Sequence, residues 1–190
     1  SCMDRYMIHL KNTSNLDRHM ANEVLRKSRD FASDLDLIIR DCRISKKFVE
    51  LDTTVSQSNL DELVEKLSQI GPLDHAKQVV EEIFEKNEAI SKGISYFNNE
   101  RFWECHEVLE GVWKKCINGQ EKLLVQGLIL VAAGLVHYQK DDDQVCISIF
   151  QRAMEKLKNS NGDYNGIDIE RIKKMVIEMI SSKNINTFTI

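Results

Sequence analysis

The single proline of this 190-residue chain, Pro72, follows Gly71 and separates two kinds of hydrophobic periodicity. A Gly-Pro pair stops a helix, because proline lacks the N–H and disfavours helical geometry in the residue before it. Upstream of it, apolar residues mix a period of two with a period of about 3.6. Downstream, the helical period runs almost without a break. The chain is therefore expected to be an α/β part followed by a helical part.

In the first part, Tyr6, Ile8 and Leu10 alternate as in a short strand, and residues 15–31 read as a helix with Leu16, Met20, Val24 and Phe31 on one side. Residues 35–44 and 47–55 read as a hairpin whose second strand places Val49, Leu51, Thr53 and Val55 on one face. Ser58 is the expected N-cap of a helix over 59–70, with Asp61 and Glu62 in its first turn and Gly71-Pro72 as its stop. Strand, helix, strand, strand, helix is a ferredoxin-like split unit short of its last strand. The tail, residues 186–190, with Phe188 and Ile190 alternating, either folds back to supply that strand or frays. His9, His19 and His75 stand alone, and nothing here has catalytic spacing. This part is expected to be an accessory domain through which a homodimer can form.

After Pro72, Val80, Ile83, Asn87, Ile90, Ile94 and Phe97 mark one face of a long helix, and helices follow over 101–116, 120–139, 143–158 and 168–182. The short polar connections Asn98-Asn99 and Asn118-Gly119 make neighbours antiparallel, and residues 161–166 form a looser loop. The expected fold class is thus α+β: a βαββα, partial ferredoxin-like part over 1–72, then an all-α antiparallel bundle of about five helices over 73–190. A weak repeat lays 93–113 over 134–154, about 41 residues on, with Gly93 matching Gly134 and Phe97 matching Tyr138; helix pairs so spaced resemble tetratricopeptide-like arrays.

Composition narrows the function classes. The net charge of -4 is spread evenly, with 11 basic and 13 acidic residues through His75 and 15 and 17 after it, so no basic arm suggests nucleic acid as a partner. The five cysteines are odd in number and form no C-x-x-C pair, which disfavours a disulfide framework or a zinc ribbon and fits reduced thiols in a cytoplasm. The longest apolar run, residues 123–138, contains Gln126 and His137 and is shorter than the roughly 20 residues of a bilayer span; it reads as a core helix, and no membrane partner is expected.

The informative segment runs from Tyr96 to Trp113: Tyr96-Phe97-Asn98-Asn99-Glu100-Arg101-Phe102-Trp103-Glu104-Cys105-His106-Glu107-Val108-Leu109-Glu110-Gly111-Val112-Trp113. Gln126-Gly127-Leu128-Ile129 and His137-Tyr138 follow. Order, spacing and residue types resemble the family called domain of unknown function 309, whose hallmark is F-N-x-x-x-[FYW]-[FYW]-x-x-H-E-x-L-E-x-x-W and then a Q-G-L-I helix. The resemblance covers roughly a third of the chain and implies a helical fold and candidate positions, with no reaction attached. One departure is the turn at 141–143, where the pattern leads one to expect a glycine.

At about 100° per residue Phe102, His106, Leu109 and Trp113 share a stripe, with Glu110 at its edge, so His106 is expected to point toward the core. An antiparallel hairpin about Asn118-Gly119 sets Glu110 near Gln126, and sets His137 near Phe102, roughly 8 to 10 Å along the axis from His106. Three readings are open. His106, Glu110 and Gln126 form a hydrogen-bonded network that fixes helix register. Alternatively Trp103, His106, Glu107, Glu110, Trp113, Gln126, His137 and Tyr138 line a site for a small molecule or a protein partner. Or His106 and Glu110, at i and i+4 as in a zinc-protease helix, ligate a divalent metal, with Glu107 or Glu110 as general base of a hydrolase. No residue pattern requires a cofactor. Asp141, Asp142 and Asp143 read as helix N-cap and dipole partners, and Cys105, about 100° from His106, as packing.

Overall fold

The computed structural model describes residues 2–190 and divides into two compact units, residues 1–81 with 139–141, and residues 82–138 with 142–190. The first unit thus runs past the expected boundary at residue 72. In it β1 (Met3–Lys11), α1 (Ala21–Phe31), β2 (Leu37–Ile44), β3 (Phe48–Ser56), α2 (Gln57–Leu67) and β4 (Leu73–Gln78) follow in order. The sheet order is β2-β3-β1-β4, every pair antiparallel, which completes the ferredoxin-like split unit.

The missing strand is therefore β4, and the C-terminal tail does not supply it. Gly71-Pro72 leads directly into the strand: Lys11 N–H donates to Pro72 O at 2.8 Å, and a Cβ on Gly71 would collide with Lys11 O. Helix α2 starts at Gln57 behind N-cap Ser56, two residues earlier than the Ser58 cap implies, because β3 runs straight into it. Tyr6, Ile8 and Leu10 of β1 and Val49, Leu51 and Val55 of β3 pack with Val24, Leu63 and Leu67 of the helices.

The second unit contains α3 (Lys86–Asn98), α4 (Phe102–Lys115), α5 (Gly119–Gln139), α6 (Asp143–Leu157) and α7 (Ile169–Ser182). A two-residue hairpin, β5 (Asp163–Tyr164) and β6 (Ile167–Asp168), occupies the expected loop. Asn165 and Gly166, at φ 51° and 87°, give it the Asn-Gly turn that suits so tight a ribbon. Helix α3 is shorter than expected: past β4 Val79 N–H still donates to Arg5 O, and Val80 and Ile83 are exposed and lie outside the helix.

The helix pairs repeat. Gly93 of α3 receives Leu109 of α4, and Gly134 of α5 receives Phe150 of α6, the same offset along the chain separating both members. The turns repeat with them, for Glu100 and Asp141 are both left-handed, at φ 60° and 64°. Asp141 lies in the turn where the family pattern leads one to expect a glycine, and its backbone adopts the conformation glycine favours.

By length and composition α5 is apolar enough to span a bilayer, yet it is mostly buried, with Gly127 against Leu157 and Gly134 against Phe150. The tail docks on α3. Phe188 stacks edge-on against Phe97 at 5.2 Å, and Ile190 exchanges two hydrogen bonds with the Asn98 side chain, at 2.7 and 3.1 Å. Arg171 of α7 donates to Thr189 O.

Candidate functional site

Helix α4 begins with Phe102 and carries its apolar stripe, Phe102, Cys105, Leu109 and Val112, into the core of the second unit. His106 lies beside that stripe. Its side chain is 22% exposed, not turned into the core, and Glu107 and Glu110 are 43% and 41% exposed. The departure follows from helical geometry: Cys105 takes the buried position, and the neighbouring residue is rotated by about 100° toward solvent.

The ring of His106 is oriented from below. Its Nδ1 is 3.1 Å from Trp103 O and donates to it, and the Trp103 ring stands edge-on at 5.9 Å. That bond leaves Nε2 free to face Glu110, whose Oε1 is 3.4 Å away; Glu107 Oε1 is 3.8 Å from Nδ1. One donor atom from each of His106, Glu107 and Glu110 lies within 4.8 Å of the others. Metal-binding histidines hold their second nitrogen in this manner, and 3.4 Å is close to the ~3.3 Å edge of a tetrahedron with bonds of 2.0–2.1 Å.

His137 and Trp113 make contacts of their own. Gln126 is half-buried and makes no hydrogen bond among the described residues, so the register-fixing network lacks its third member. His137 pairs instead with Asp142 across the α5–α6 turn, its Nδ1 3.5 Å from Oδ2. Trp113 lies under the ammonium of Lys122 at 4.5 Å, and its indole N–H meets no acceptor among the described residues. Tyr138 is partly buried against the core. Asp142 does stand at the N-cap of α6, though without a side-chain cap hydrogen bond. Burial pushes the Cys105 thiol up to about 12, so it packs and does not attack.

Two further charged groups are built into the fold. At the start of α4, Glu104 is buried and takes a two-pronged bond from Arg101, at 2.6 and 2.7 Å, while Arg101 lies over the Tyr96 ring. In the first unit, His9 does not stand alone. Its Nε2 is 2.7 Å from Glu50 Oε2, and its ring stacks on His75 at 4.4 Å. Glu50 also binds Arg43, and Asp52 binds Arg5 and Arg40. The signal was present in the alternation of β3: if Val49, Leu51 and Val55 face the helices, Glu50 and Asp52 share the other face, opposite His9 and Met7 in register.

Residues 90–148 match the family described as Domain of unknown function (DUF309), so the resemblance drawn from the α4 and α5 motifs holds, and both lie inside the matched stretch. An uncharacterized protein of Aquifex aeolicus (strain VF5) is 25% identical over 113 residues, which are 60% of this chain and 34% of that protein. The chain thus spans about a third of the length of that relative.

Proposed function

We propose that the helical unit is a binding module whose α4 face receives a cation, either a divalent metal ion or the basic group of a small ligand or partner, between His106 and Glu110. The observation that carries this reading is the Nδ1 bond of His106 to Trp103 O, which aims Nε2 at a carboxylate with room for a cation between them. Glu107 adds a second carboxylate, and two acids beside one imidazole suit a cationic guest.

Binding is favoured over catalysis by exposure. A hydrolytic metal centre gains from a shaped, water-poor cavity, whereas all three donors are open to solvent. The hydrolase reading keeps one support, the approach of three donors to within 4.8 Å.

Calorimetric titration of the purified protein with Zn²⁺ and Mn²⁺ tests the proposal, beside His106→Ala and Glu110→Gln. We expect one ion per chain in the micromolar range, lost in both variants, with unchanged circular dichroism. Absence of metal binding, together with no response to an arginine- or lysine-rich peptide, sinks it. Hydrolysis that disappears in Glu107→Gln while metal content stays constant transfers the site to the second reading.

A further inference from the structure

A concavity lies at the C-terminal end of α4, apart from the His106 face. It has a volume of about 310 Å³ and sits where the α4–α5 turn meets the start of α3. Phe84, Val112 and Ile117 supply its apolar wall, and Gly111 also lines it. Lys86, Lys115 and Glu121 bring charge to it.

Gly111 is the telling residue. It sits inside α4, where glycine weakens a helix relative to alanine. Three other helical glycines are required by close packing, Gly93 by Leu109, Gly127 by Leu157 and Gly134 by Phe150, while Gly119, also open, stands at the first position of α5 and not in a helix interior. A Cβ at Gly111 would meet nothing within 4 Å. Packing therefore gives no reason for this glycine, and its effect is to leave the concavity open.

The charges are unequal. Lys86 is paired with Glu121, which also accepts from Tyr164 Oη at 2.7 Å. Lys115 is exposed and makes no hydrogen bond or ion pair among the described residues, so one positive charge is uncompensated at the rim. Ile117, 99% exposed, stands beside it as an apolar edge with nothing to pack on.

We propose that this concavity binds a small amphiphilic anion, a carboxylate with an aliphatic body, which lies over Gly111 against Phe84, Val112 and Ile117 with its anionic end at Lys115. A volume near 300 Å³ with an apolar wall and few polar groups is what such ligands require.

Cys116 in the wall provides the readout. Cys42, Cys105 and Cys146 are buried, so in a Cys2→Ser background Cys116 is the one accessible thiol. Its alkylation by iodoacetamide is followed with and without octanoate, with 1-octanol and octylamine as controls for charge. We expect saturating octanoate to slow the reaction about fivefold or more by occluding the thiol. Lys115→Gln should weaken octanoate about fivefold without affecting octanol. Gly111→Leu should abolish protection while the melting temperature holds or rises. Absence of protection by octanoate at millimolar concentration, equal protection by octanol and octanoate, or protection that survives Gly111→Leu in a folded protein each overturns the proposal.

Discussion

At the scale of single residues, the buried charges of the first unit have the largest consequences. Burial raises the cost of ionising Glu50, but the Arg43 guanidinium and the His9 ring outweigh it and hold its carboxyl at about 2, below the ordinary value of 4.5. A carboxylate depressed in the folded state brings stability that is complete above its unfolded value and is lost as pH falls through the folded one. Acid unfolding should therefore draw on Glu50 between about pH 4.5 and pH 2. Urea titrations followed by circular dichroism check this: Glu50→Gln should cost about 3 kcal/mol at pH 7, because it leaves Arg43 buried beside a neutral side chain, and the gap from the native protein should narrow below pH 4. A constant gap assigns the stability elsewhere. None of this could be read from His9, Arg43 and Glu50 one at a time, since pairing across strands makes the group and register is not written in any one strand. His106, Glu107 and Glu110 were readable, because i and i+4 on one helix need no knowledge of the rest of the fold.

At the scale of elements, the helices after α3 lie within a residue or two of their expected bounds, since α4, α6 and α7 carry an apolar stripe, α5 is apolar nearly all round, and polar residues mark their ends. Strand β4 did not. Its residues Leu73–Gln78 are exposed or half-buried and show little alternation, because an edge strand that pairs only with β1 needs few apolar contacts to define it. The start of α3 differs from the expected one for a related reason: Val80 and Ile83 fit the helical period, but the residues between β4 and α3 form no helix. The glycines of α5 were readable as contact points, and their geometry gives a sharp expectation. A Cβ at position 134 would lie 2.6 Å from the Phe150 ring, so Gly134→Ala should destabilise by about 1 to 3 kcal/mol despite better helix propensity. Gly111→Ala, with open space at its Cβ, should stabilise by about 0.5 to 1 kcal/mol. Measured together in urea, the two substitutions should move the midpoint in opposite directions; the same sign for both contradicts the packing described above.

At the scale of the helical unit, the repeat joins local structure to assembly. Gly93–Leu109 and Gly134–Phe150 are contacts between neighbouring helices, each closed across a short loop. The clasp between Asn98 and Ile190 is of another kind, spanning 92 residues. Bringing the ends of so long a segment together costs about 4 kcal/mol of chain entropy when nothing between them is ordered, and far less once the intervening helices have formed. The order of events is thereby set: the α3–α4 and α5–α6 hairpins form early, and the clasp closes on a surface they have already built. Opening should follow the reverse order. In native-state hydrogen exchange, the amide of Ile190 should exchange at least tenfold faster than those in the middle of α5, with the Phe97 face uncovered in the open form. Equal protection would place the clasp within the cooperative core. If the expected order holds, the unit has a low-energy excursion in which the Phe97 side of α3 meets solvent while the bundle stays folded.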